Sequence, residues 1–245
     1  MRAALAGLSA RQGRLDGLVR VVVRGGFAVV GWRVHVSGIE RLPHDSRARV
    51  RPCVVVVAPH RGWIDPLLLL RAWPRDAPRL AWLGDERTMV RSWWRRWLLP
   101  RLGMVPIPAR ASPGAVRDHL ADARTVLERG CCLVVFPEKG PPSLPGQLRT
   151  VAPGAVWLAA AGGVPLVPVA IGGFREAGLR TRFRLSFLSP LPAPSPPDST
   201  GGPQAARGTT ELLRATLAPV VEELEAWSAR VNGARPLPWL GRLFR

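Results

Sequence analysis

The sequence predicts an α/β domain, a largely parallel central sheet flanked by helices. Two observations carry this. The runs CVVVVA (53–58) and CCLVVF (131–136) are continuously apolar and rich in β-branched residues, as strands buried on both faces are. Segments of helical periodicity separate such runs, and alternating strands and helices build a parallel sheet joined by crossovers. With 245 residues and 47% hydrophobic content, the chain can bury a substantial core, which excludes a disordered protein.

The elements follow in order. The opening MRAALAGLSARQGRLDG is too short and too polar for a signal peptide. Leu15, Leu18, Val19, Val22, Val23, Phe27 and Val30 then fall on one helix face, with Arg20 and Arg24 on the other. The longest uncharged run there, Gly25 to Trp32, is eight residues, against the roughly 20 that a spanning helix needs. The expectation is an amphipathic helix that lies in a membrane interface or packs on the core. Val34, Val36 and Ile39 alternate in WRVHVSGIE, a strand that runs into an Arg-rich loop at 44–52.

CVVVVA is the predicted central strand, PHRGWIDP (59–66) a turn and LLLLRAW (67–73) a helix start. RLAWLG (79–84) reads as a strand, residues 86–103 as a helix ending near Pro100, and MVPIPA (104–109) as a proline-interrupted edge strand. Ser112 is the expected N-cap of a helix with Pro113 at its first position, carried by Val116, Leu120 and Leu127 and ended by Gly130. After CCLVVF come an Ala-rich helix (153–163), the strands VPLVPVAI (164–171) and RFRLSFL (182–188), a Pro-rich stretch (189–203) and a last helix over about 205–231. The organisation expected is an N-terminal amphipathic helix (1–32), an α/β domain (33–190) and a C-terminal loop, helix and basic-apolar tail (191–245) packing on it.

The formal charge is +18, from 34 Arg and the single Lys139 against 17 acids. Part of the Arg excess reads as codon bias, but the charge still implies an anionic partner: nucleic acid, a membrane surface or a phosphorylated substrate. Cys53, Cys131 and Cys132 lie in apolar runs and have no zinc spacing, so they read as buried thiols of a reducing compartment, with no metal expected.

His60 and Asp65 follow directly on the buried strand, where sites gather in open α/β sheets. Five positions apart, they would lie about 140° apart on a straight helix. On a turn the Asp can reach back to one imidazole nitrogen and leave the other free as a base. Glu138 and Lys139 follow a second buried strand in FPEKG, and Arg110 ends a third at GMVPIPAR. A carboxylate there suits a hydroxyl, and a guanidinium fork suits a phosphate or carboxylate. Each feature alone is also what a solvated βα loop presents. His35, His44 and His119 have no Asp at that spacing and read as structural or exposed.

Taken jointly and in this order, PHRGWID, GMVPIPAR, FPEKG and GVPLVPVAI resemble the blocks of the glycerolipid acyltransferases, whose bacterial type is 1-acylglycerol-3-phosphate (lysophosphatidate) acyltransferase. The stretch VSGIERLP resembles the one before the first block, and the resemblance covers roughly residues 30–190. It implies that His60 is a general base, oriented by Asp65, for direct acyl transfer from acyl-CoA or acyl-carrier protein to a lysophospholipid hydroxyl. No acyl-enzyme and no cofactor are needed. Arg110 matches a phosphate ligand, Glu138 and Gly140 match the third block, and Arg61 and Lys139 join the expected substrate-binding set.

The chain departs from the family pattern in two places. Pro59 replaces an Asn before the His, and in the third block Lys139 is inserted between Glu138 and Gly140 while Pro141, Pro142 and Ser143 stand where Thr-Arg-Ser would follow. The phosphate-contacting Arg of that block is missing, with Lys139 or Arg149 as its candidate replacement. The acceptor therefore stays open between lysophosphatidate and another lysolipid such as a lyso-ornithine lipid, and a non-catalytic membrane-binding relative remains the outlying alternative.

Six of ten Trp lie between Trp63 and Trp97, interleaved with Arg, and no acid falls between Arg87 and Arg110. That composition suits an anionic lipid headgroup layer. The expected location is the cytoplasmic face of the cell membrane, peripheral or monotopic. No nucleic-acid motif occurs, and nucleic acid is not an expected partner.

Overall fold

A computed structural model of the chain describes residues 14–62, 64–87, 92–107, 121, 123–138, 148–173, 178–195 and 202–232. Seven strands form one sheet: β1 (Arg33–Ser37), β2 (Val54–Ala58), β3 (Leu80–Asp85), β4 (Met104–Ile107), β5 (Cys132–Val135), β6 (Leu166–Gly172) and β7 (Arg182–Phe187). Their order across the sheet is β1-β7-β6-β2-β5-β3-β4. β2 is the centre, as its sequence predicts: it pairs in parallel with β5 on one side and β6 on the other, and all five of its residues are buried. The proline-containing β4 is an edge strand, where a missing N–H costs no ladder bond.

The pleat sends successive β2 side chains to opposite faces. Val54, Val56 and Ala58 meet the helical stretch at 123–128, helix α4 (Gly154–Gly162) and helix α5 (Gly202–Asn232). Val55 and Val57 meet helix α1 (Arg14–Val29) and helix α2 (Ile64–Ala72). The remaining helix, α3 (Trp93–Arg101), leads into β4. The expected N-cap at Ser112 and Pro113 lies outside the described residues.

The sheet is parallel except at one junction. β7 runs antiparallel to β6 and parallel to β1, so β1 and β7 oppose the other five strands. The connection between Gly172 and Arg182 is too short for the crossover helix that a parallel pair needs. At β1 the alternation of Val34 and Val36 does not bury one face: Val36 is exposed, because this strand is the other edge.

Helix α1 exists, and Val19, Val23 and Phe27 of its predicted face pack on the core, but the helix is turned so that only part of that face is buried. Leu18 and Val22 point outward with Val21 and Val29, whereas Asp16, Arg20, Val23 and Phe27 point in. Buried polar partners set this rotation. Arg79 Nε lies 3.0 Å from Asp16 Oδ2, and Arg20 Nη1 donates to the Trp73 carbonyl at 2.7 Å. Arg79 also donates to the Arg101 carbonyl and so ties the start of α1 to the end of α3.

Helix α5 spans 31 residues and packs on β6, β7 and α4. Its buried stripe is Leu213, Leu217, Val221 and Leu224, spaced one helix turn apart. Gly172 allows the close approach, since a Cβ there would sit 2.7 Å from Leu224 Cβ and 3.0 Å from its carbonyl oxygen. At the far end, the Asn232 side chain accepts from Arg182 N–H and donates to Arg182 C=O, satisfying β7 as a strand neighbour would. Leu217→Ala should therefore cost about 2–5 kcal/mol, as deletion of a fully buried leucine does, read as a lowered urea midpoint at unchanged slope.

Candidate active site

The carboxyl ends of three adjacent parallel strands, β5, β2 and β6, converge on one place. Each strand is followed by residues with chemistry. After β2 the chain turns through His60, Arg61 and Gly62 before α2 begins. Asp65 is the second residue of α2 and is fully buried. Its Oδ2 accepts from Arg61 N–H at 2.8 Å and Gly62 N–H at 3.1 Å, and meets His60 Nδ1 at 2.7 Å. Three N–H donors on one oxygen suit a carboxylate, as does the helix N-terminus on which it sits. The geometric objection to a His and an Asp five residues apart is resolved because His60 lies on the turn, not the helix.

With Nδ1–H directed at Asp65, the imidazole keeps its Nε2 lone pair for another proton. The His60 side chain is 41% exposed. The ring stacks on Phe136, which follows β5, with centroids 4.2 Å apart and planes inclined by 25°. Phe136 was absent from the predicted site. Its signal was position alone: it is the first residue past a strand that pairs with β2.

Glu138 lies two residues further on, in an antiparallel bridge with Val151, and Pro137 C=O accepts from Ala152 N–H at 2.8 Å. This pairing brings 148–152 to the site and places Arg149 in the field of Glu138. Burial pushes the Glu138 carboxyl up to about 7, against the opposing pull of Arg61, His60 and Arg149.

Arg61 turns inward. Its Nη2 lies 3.7 Å from Glu225 Oε2 of α5, and both side chains are largely buried. Sequence reasoning missed Glu225, although an acid one turn past Val221 on an otherwise apolar stripe was the available sign. Arg110, Lys139 and Gly140 lie outside the described residues. His35 and His44 are exposed on the surface. Among the described residues, no cluster of three His, Cys, Asp or Glu could hold a metal ion. The three cysteines are buried thiols outside any disulfide among the described residues, with Cys53 and Cys132 sulfurs 3.5 Å apart.

The raised Glu138 carboxyl gives a signed pH effect. The folded protein holds that proton up to about pH 7, whereas an unfolded Glu releases it near 4.3. Between those values folding takes up a proton, so this group's contribution to stability falls as pH rises and is lowest above about 7. Glu138→Gln removes the penalty. Melting temperatures of the variant relative to the parent should therefore improve from pH 5 to pH 8, and a difference independent of pH would refute the raised carboxyl.

The family model described as Acyltransferase matches residues 33–172, more than half of the chain. The chloroplastic 1-acyl-sn-glycerol-3-phosphate acyltransferase of Brassica napus is 28% identical over 142 residues, 58% of this chain and 38% of that protein. This chain thus spans well under two thirds of that relative. In fold it resembles the crystal structure of the 1-acyl-sn-glycerophosphate acyltransferase PlsC from Thermotoga maritima, with a TM-score of 0.62 at 23% identity over 86% of this chain and 80% of that one. The matched residues carry β1 to β6 and the His60–Asp65 pair, and the chain belongs to the acyltransferase family.

Proposed function

We propose that the protein transfers a fatty acyl group from a thioester, acyl-CoA or acyl-carrier protein, to a lysophospholipid hydroxyl, with 1-acylglycerol-3-phosphate giving phosphatidic acid. The observation that carries this is the 2.7 Å contact between His60 Nδ1 and Asp65 Oδ2 at the end of β2, within the acyltransferase segment. In the reaction His60 Nε2 takes the hydroxyl proton as the acceptor oxygen attacks the thioester carbonyl. The C–O bond forms, the C–S bond breaks, and the imidazolium returns its proton to the leaving sulfur. Asp65 holds the ring and stabilises its cationic form.

Glu138, once ionised near neutral pH, accepts a hydrogen bond from the acceptor. Arg149, which already acts on Glu138, supplies positive charge for the acceptor's anionic group where the family's third-block Arg is missing. The proline-rich replacement of that block also favours a second acceptor within the same chemistry, a lysolipid with another headgroup.

The substrate resides in a bilayer, and the surface supports docking to anionic lipid. On α3, Trp93 and Trp97 are 82% and 55% exposed rather than packed inside, and the Arg101 guanidinium lies 4.4 Å from the Trp97 ring centre. Leu18, Val21, Val22 and Val29 face outward from α1, which Arg79 ties to α3. No helix among the described residues is long and apolar enough to cross a membrane, so the association proposed is peripheral.

Purified protein in mixed micelles with acyl-CoA and lysophosphatidate should release thiol and form phosphatidate. His60→Ala should lower the rate by about 10²–10⁴-fold, the worth of a positioned general base. Thiol release without phosphatidate would move the acceptor to another lysolipid, and no His60-dependent transfer with any donor would refute the enzyme. In co-sedimentation with anionic vesicles, Arg96→Ala should weaken binding by about fivefold, following about 1 kcal/mol per interfacial arginine. Trp93→Ala with Trp97→Ala should weaken it further at unchanged charge.

A further inference from the structure

We propose that Glu225, from the C-terminal helix outside the family's matched segment, is a positioning residue of this active site: it holds Arg61 and, through Arg61, the turn that seats His60 on Asp65. The inference rests on the acyl-transfer reading above and adds a residue to it.

The fold brings α5 to the site deliberately close. Gly172 ends β6, beside the end of β2, and its missing side chain lets the Leu224 backbone lie against the strand. The next residue, Glu225, is thereby delivered to the turn after β2. It belongs to the buried stripe with Val221 and Leu224. A carboxylate at such a position costs desolvation that only a partner offsets, and an apolar residue there would serve packing as well or better. Its one ion-pair partner among the described residues is Arg61, at 3.7 Å. Glu225 Oε1 is buried and makes no hydrogen bond among the described residues.

Arg61 connects this pair to the chemistry in two ways. Its backbone N–H is one of the three donors to Asp65 Oδ2, at 2.8 Å, so anchoring its side chain anchors a peptide of the catalytic turn. Its guanidinium also acts on Glu138. Among the described residues, the charged groups facing Glu138 are Arg61, His60 and Arg149, and those facing His60 are Asp65 and Glu138. Glu225 balances the one cation in this set that is turned inward.

Opposite shifts on removing either partner follow. Glu225→Gln keeps the volume and deletes the charge, so the pull of Arg61 on Glu138 is no longer opposed by Glu225. Ionised Glu138 is then favoured and the acid limb of the pH–rate profile moves to lower pH. Arg61→Gln removes the cation and moves it to higher pH. In both variants kcat should fall by about tenfold or more with KM within about twofold, the signature of a lost transition-state geometry. Glu225→Asp should restore part of kcat, and the Arg61→Gln/Glu225→Gln double variant should lose no more than the worse single one, since the two act as a unit.

Parent, His60→Ala and these variants are compared by thiol release from acyl-CoA with lysophosphatidate in micelles across pH 5 to 9, with melting curves for each. Carboxyl-carbon NMR of Glu138 follows the same charge change without substrate. An unchanged kcat and pH profile in Glu225→Gln, beside a His60-dependent parent, overturns this inference alone. A raised KM with unchanged kcat in Arg61→Gln makes Arg61 a substrate ligand and overturns it too. If the parent shows no His60-dependent transfer, the acyl-transfer reading falls, and Glu138 NMR shifts of one sign, or none, in the two variants overturn the charge coupling on their own. Should Glu225→Gln fail to fold, Glu225→Met, which also deletes the charge, and Arg61→Gln carry the same comparison.

Discussion

One carboxylate oxygen organises this molecule's chemistry. Asp65 Oδ2, fully buried at the start of α2, gathers His60 Nδ1 and two turn N–H groups within 3.1 Å. A buried charge is tolerated only where donors surround it. The turn, the helix terminus and the imidazole supply them together. Loosening any one weakens the others, so the orientation of His60 is a consequence of satisfying Asp65. Because the donors crowd on one oxygen, the ring is held by its Nδ1 side and Nε2 takes no part in that contact.

The sheet gives that oxygen its neighbours. Parallel pairing of β5, β2 and β6 sets three strand ends side by side, so Phe136, His60 and the close-packed Leu224–Glu225 step of α5 meet although they are far apart in sequence. A parallel sheet concentrates chemistry at one edge because every strand enters from the same side. The antiparallel turn at β6–β7 breaks that rule only after the last contributing strand. It places β7 and β1 where they widen the core without adding to the site.

What the sequence disclosed follows the range of the forces involved. Continuous β-branched runs report burial directly, so β2, β5 and β6 were legible. The His60–Asp65 pair was legible because both partners lie within one turn of chain. The direction of β7 was not, since alternation reports exposure and not polarity of the strand. The buried face of α1 was misread because apolar spacing assumes that only apolar residues are buried, and Asp16 and Arg20 are held inside by Arg79 and the Trp73 carbonyl. Phe136 and Glu225 left only position as a sign, for a different reason. Their roles come from strand order and helix approach, and no local pattern encodes contacts that join residues 61 and 225.

The rotation of α1 also bears on where the protein works. A helix in water gains by burying its apolar residues and exposing its charges, at about 25 cal/mol per Å² of apolar surface. Helix α1 does the reverse over part of its surface: Asp16 and Arg20 are buried, and Leu18, Val21, Val22 and Val29 face out. Trp93 and Trp97 are likewise outward on α3. Scattered exposed apolar residues need no explanation, but four on one outward helix face, beside exposed tryptophans and arginines, are costly against water and favourable against a headgroup layer. The buried Asp16–Arg79 pair is what allows it. By fixing α1 through polar contacts on its inner side, the fold frees the outer side from core duty, and the proposed docking to a lipid surface rests on that outer side.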